Sequence, residues 1–163
     1  MTRIDVPVQL RWADLDAYGH VNNAQMLQLL EEARIEAFWS HPGAGDATGR
    51  PSAVIDAGLG AQTTTLVARQ EIEYLRPLDY RRAPVVVQLW IGHLGGASID
   101  VCYVVHDGVP DAESEPYARA TTTLVLVDTA TGRPRRITDT ERAAWSPFLG
   151  EPVAMRRRRA AEA

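Results

Sequence analysis

The chain has 163 residues, a formal charge of −4 and one cysteine, Cys102. That length fits a single domain with a real core. The mild charge gives no reason to expect nucleic acid or a membrane surface as partner, and a lone cysteine closes no internal disulfide, which suits a reducing compartment.

Residues 1–9 lack an apolar stretch of signal-peptide length, and no run approaches a membrane span, so a cytoplasmic protein is expected. In chain order, Val6, Val8, Leu10 and Trp12 alternate on one face and predict a half-buried strand over 6–12. Residues 22–39 hold no Gly or Pro and predict one long helix, with Asn22 or Asn23 as its N-cap. Residues 40–60 are rich in Gly, Ala and Pro; they read as a long connection of the lid or binding-loop kind, with a helical turn near Ser52–Ala57. Strand-like runs follow at 61–75, 83–95, 97–107 and 117–128, parted by turn residues. A short helix over 138–148 opens on Thr138 or Asp139 as N-cap. Residues 1–150 then form one domain, and 151–163 a flexible Arg-rich tail. The order of elements is that of an α+β fold, a five-stranded antiparallel sheet wrapped around the helix.

On a helical wheel at about 100° per residue, Gln25, Gln28, Glu32 and Glu36 share a polar face. Met26, Leu27, Leu30, Ala33, Ala37 and Phe38 form the core stripe, with Arg34 in its middle and Glu31 on its rim. A charge on an apolar face is costly unless paired, so a Glu31–Arg34 ion pair is expected. His93 and His106 are isolated among strand residues, and no metal-ligand spacing is present. There is no phosphate-binding glycine motif.

Residues 10–23 read LRWADLDAYGHVNN and crowd two carboxylates, a histidine and two asparagines between a strand and a helix. The residues RWADLDAYGHVNN, followed by EEAR at 31–34, resemble the 4-hydroxybenzoyl-CoA thioesterase branch of the hotdog-fold acyl-CoA thioesterases. EIEYLRPL (71–78) is similar to that family's strand ending in a Tyr and a Pro, and GGASIDVCY (95–103) to its strand with an early Ser. The resemblance implies a hotdog fold and a homodimer with sites formed between subunits, a tetramer remaining open. It implies Asp16 as the catalytic carboxylate, attacking directly or activating water, and the backbone N–H near Asn23 as oxyanion donor. His20 is implied to donate to the thioester or steady the carboxylate, Asn22 to orient water or substrate, and Gly19 to permit close approach, with Tyr18 also on the substrate side. Asp14 reads as a turn or cap residue. A second branch of the superfamily uses a helix glutamate, and Glu31 stands at about that position.

Two departures matter. Met26 replaces the aromatic residue of many relatives and implies a softer, aliphatic acyl pocket. Leu94–Ala97 carries none of the basic residues that hold CoA phosphates in some relatives, which leaves Arg76, Arg81, Arg82 or the Arg156–Arg159 run for that task. Ser98 either binds substrate or serves its strand. The expected substrate is an acyl-CoA or an acyl carrier protein, with coenzyme A as part of the substrate and no separate cofactor or metal. A hotdog dehydratase or hydratase, or a non-catalytic acyl-binding protein, remains the alternative.

Overall fold

A computed structural model describes residues 2–40, 50–56, 60–108 and 115–156. The strands are β1 (Ile4–Val8), β2 (Thr63–Tyr74), β3 (Val85–Leu94), β4 (Ser98–His106) and β5 (Ala118–Asp128). They form one antiparallel sheet in the order β1-β3-β4-β5-β2. Helix α1 is Asn23–Phe38 and helix α2 is Asp139–Trp145, followed by a 3-10 turn, Ser146–Phe148. The fold is α+β, as expected. Helix α1 has 16 residues, about 24 Å, one residue shorter at each end than the predicted long helix.

Alternation sets the inner face. Val85, Val87, Leu89 and Ile91 of β3, Ile99, Val101, Tyr103 and Val105 of β4, and Ala118, Ala120, Leu124 and Leu126 of β5 are buried in one core with Met26, Leu29, Leu30, Ala33, Ala37 and Phe38 of α1. Burying each large side chain stabilises by about 1.5–3 kcal/mol. On α1 the core stripe is rotated slightly from the wheel: Leu29 is buried and Leu27 only half-buried. The predicted ion pair forms. Arg34 Nη2 donates to Glu31 Oε1 at 3.1 Å, and Nη1 donates to Tyr103 Oη at 3.2 Å.

Three expectations change. Trp12 does not continue the face of Val6, Val8 and Leu10; β1 ends at Val8, and a 3-10 turn at Trp12–Asp14 swings Trp12 out to 73% exposure, stacked on Tyr80. That turn is fixed by buried Asp14, which accepts from Arg11 N at 2.7 Å and from the Arg11 guanidinium. Residues 52–56 are not helical. Ser52 Oγ instead donates to Ala37 O at 2.7 Å, and Ile55 N to Phe38 O, so this segment satisfies carbonyls at the end of α1. The rest of the predicted lid, residues 41–49 and 57–59, lies outside the described residues. For α2, the cap is Thr138, in a reciprocal capping box with Glu141.

The face of the sheet away from α1 is crossed by residues 149–156. Gly150 N donates to Ile91 O, Trp90 Nε1 to Glu151 O, Val153 N to Cys102 Sγ and Arg156 N to Glu73 Oε1. Gly92, at the register shift between Ile91 and His93, makes room for this strap: a Cβ there would come within 2.7 Å of Cys102 Sγ and 3.2 Å of Pro152 Cα. Among the described residues no helix is long and apolar enough to cross a membrane.

Candidate active site

The segment after the 3-10 turn is held to the loop following β2. Val21 N donates to Leu78 O at 2.8 Å, and His20 bridges Asp79. This pairing brings residues 16–26 against residues 74–78 and leaves an open cleft of about 400 Å³ between them. Asp16, His20, Asn23, Met26, Tyr74 and Arg76 line it.

Asp16 is half-buried at the head of a turn. Its Oδ1 accepts from Tyr18 N at 2.8 Å and His20 N at 3.2 Å, and Gly19, at φ +83°, closes the turn with its N–H on Asp16 O. A residue with a Cβ is strained at that φ, which accounts for the glycine. Among the described residues, Asp16 Oδ2 takes no hydrogen bond. The carboxylate is therefore oriented through one oxygen and open through the other.

The helix start supplies the complementary groups. Asn22 is the N-cap: its side chain accepts from Ala24 N at 2.8 Å, and its carbonyl accepts from Met26 N at 2.9 Å. The Asn23 and Gln25 N–H groups have no acceptor among the described residues. These are the orphan donors of a helix N-terminus, at the positive end of its dipole. A carboxylate with one open oxygen and a helix start with open N–H groups, in one cleft, are the two parts an acyl-transfer site needs.

Other predicted residues divide between cleft and elsewhere. Met26 is buried and lines the cleft. The His20 ring turns to Asp79, with Nε2 at 3.6 Å from Oδ1, so His20 holds Asp16 through its backbone N–H and not its ring. Arg76 lines the cleft, but its guanidinium is engaged. It donates to Glu115 O at 2.8 Å and Asp107 Oδ2 at 3.0 Å and lies 3.6 Å over the Tyr117 ring. Arg81 also pairs with Asp107. Tyr18 is 85% exposed and outside the cleft. Glu31, about 12 Å along the helix from Asn23, does not line it. Ser98 begins β4, at the opposite end of that strand from Asp107. Cys102 is buried on the strap side, and burial raises its thiol pKa. Among the described residues no group of three His, Cys, Asp or Glu is placed to share a metal ion.

Tyr74 carries only the family resemblance of its segment, and Asp79 carries no sequence signal. Both sit in EIEYLRPLD, where only the Tyr and Pro carry a family resemblance, and neither has a motif that announces a partner 51 or 59 positions upstream. A larger cleft of about 540 Å³ lies between β1 and α1, lined by Val6, Val8, Leu29, Glu32 and Arg50. It holds none of the predicted site residues.

The sequence model of the thioesterase-like superfamily matches residues 10–153. No curated protein matches the sequence significantly. Among solved structures, the chain is similar to a candidate thioesterase from Pseudomonas aeruginosa, at 32% identity over 86% of this chain and 95% of that chain, TM-score 0.64. A thioesterase from Thermus thermophilus, complexed with coenzyme A and Zn, matches at 29% identity over 91% and 95% of the two chains, TM-score 0.64. A candidate acyl-CoA thioesterase from Xanthomonas campestris matches at 27% identity over 77% and 93%, TM-score 0.56. With nearly the whole described domain inside the family match, and the Asp16 turn and helix start within it, the chain belongs to the thioesterase-like superfamily.

Proposed function

We propose that the protein hydrolyses an acyl-CoA thioester to a free acid and a thiol, in a hotdog arrangement with Asp16 as the catalytic carboxylate. One observation carries the reading: Asp16, with an open Oδ2, shares a cleft with the unpaired N–H of Asn23 at the start of α1. The thioester carbonyl oxygen would sit on that N–H. As a base, Asp16 takes a proton from water, hydroxide adds to the carbonyl carbon, and the C–S bond breaks to release the thiolate, which is protonated. As a nucleophile, Asp16 displaces the thiolate and forms an anhydride that water then cleaves. Developing charge on the carbonyl oxygen is the quantity the helix start stabilises.

Met26 would floor an aliphatic acyl site. The Thermus and Xanthomonas relatives, named for coenzyme A and acyl-CoA, support CoA as the thiol. Coenzyme A enters as part of the substrate and the chemistry requires no resident cofactor. A second copy would pair along β2, an edge strand whose Leu66 and Val67 are 56% and 45% exposed. Such a homodimer, in the cytoplasm, would have residues of the 40–60 loop or of EIEYLRPL from one subunit line the other's site near Asp16.

The test is a thiol-release assay on acyl-CoAs of increasing chain length, run beside an enoyl-CoA hydration assay. Steady thiol release without hydration is expected. Hydration without thiol release would overturn the reading.

A further inference from the structure

We propose that Tyr74 is a positioning residue for this hydrolysis: its hydroxyl clamps the first peptide of α1 so that the open N–H of Asn23 keeps its place in the cleft. The inference rests on the hydrolase reading above. Tyr74 ends the edge strand β2 and lines the cleft with Asp16 and Asn23. Its Oη donates to Asn23 O at 2.7 Å, 51 residues away in sequence.

The geometry of the peptides around that bond gives it a role. The Asn23–Ala24 peptide is gripped at both ends, its carbonyl by Tyr74 and its N–H by Asn22 Oδ1 at 2.8 Å. The preceding peptide is held by its carbonyl, which accepts from Met26 N at 2.9 Å. What remains free in this first turn is the Asn23 N–H, followed by that of Gln25. A helix end otherwise frays, and an oxyanion donor is worth most when it needs no reorganisation as charge develops. Asn22 N on Asp14 O and Val21 N on Leu78 O, both at 2.8 Å, anchor the residues just before the helix; Tyr74 reaches the first helical peptide itself and ties it to the far wall of the cleft. Burial raises the Tyr74 pKa, so the hydroxyl stays a donor through neutral and mildly alkaline pH.

Tyr74→Phe removes one oxygen and keeps the ring against the cleft. The test measures thiol release from a short acyl-CoA and backbone amide exchange by NMR, both on the full chain. If the clamp acts, kcat falls by about tenfold or more, below the loss expected for deleting a donor outright, while KM changes little. Exchange at Ala24 and Met26 quickens while that of β3 and β4 amides is unchanged, which also shows that the variant is folded. Unchanged kcat, unchanged exchange at Ala24 and Met26, or a raised KM with kcat intact each overturns the inference, the last by assigning Tyr74 to binding alone. An inactive wild type removes the hydrolase reading and the positioning role with it, whereas an active wild type matched by Tyr74→Phe removes only the inference.

Discussion

Arg34 is 2% exposed between α1 and the sheet, yet its ion-pair partner Glu31 has a side chain 54% exposed. Removing Arg34 therefore leaves Glu31 in water and not stranded in the core. The larger costs are the cavity and the Tyr103 hydroxyl, wholly buried and left without its donor from Arg34. Arg34→Ala should lower unfolding free energy by about 2–5 kcal/mol. Arg34→Met refills the volume and should cost clearly less. Glu36→Ala loosens a partly exposed contact to Arg50 at 3.7 Å on the polar face of α1, and its effect should stay within about 1 kcal/mol. Urea denaturation of the three variants checks this, and equal losses for Arg34→Ala and Glu36→Ala would contradict it. The Glu31–Arg34 pair was legible in the sequence because both lie on one helix at known spacing. Tyr103 was not, because its contact spans 69 residues and only the fold closes it.

Among the elements, strands and helices follow their periodicity closely, and the exceptions have local causes. The alternation that began at Ile4 ends when Asp14 draws the Arg11 backbone into a 3-10 turn, so Trp12 leaves the core face. Ser52 reads as part of a helical turn until its hydroxyl is seen closing the C-terminal end of α1. The strap at 149–156 carries no period at all. It is held by single bonds to four places on the sheet and by the fit of Pro152 over Gly92. It also covers Cys102, at 1% exposure on the face away from α1, and shares the cover of Trp90, at 3%, with the Arg3 guanidinium 4.1 Å over that ring. A chain ending at Gly150 should expose the Cys102 thiol. A disulfide reagent that leaves the intact protein unmodified on the time scale of minutes should then label it at one thiol per chain, and the burial-raised thiol pKa should fall toward its ordinary value. Equal, slow labelling of both chains would show that the strap is not the cover.

For the whole molecule, the sequence placed Asp16, Asn23 and Met26 correctly at a strand-to-helix junction, because their motif is contiguous. It could not show the opposite wall. Tyr74 and Arg76 arrive there only when the loop after β2 pairs with residues 20–21. Nor does one chain gather every residue of the motif-based expectation: Tyr18, Glu31 and Ser98 stay outside the cleft. The central claim is that one carboxylate in this cleft drives thioester cleavage, and it divides Asp16 from Glu31. The most direct measurement is thiol release by purified Asp16→Asn and Glu31→Gln proteins on an acyl-CoA that the wild type hydrolyses. Folded Asp16→Asn should lose about 10³-fold or more in kcat with KM little changed, while Glu31→Gln retains most of the activity. Near wild-type turnover by folded Asp16→Asn would contradict the account.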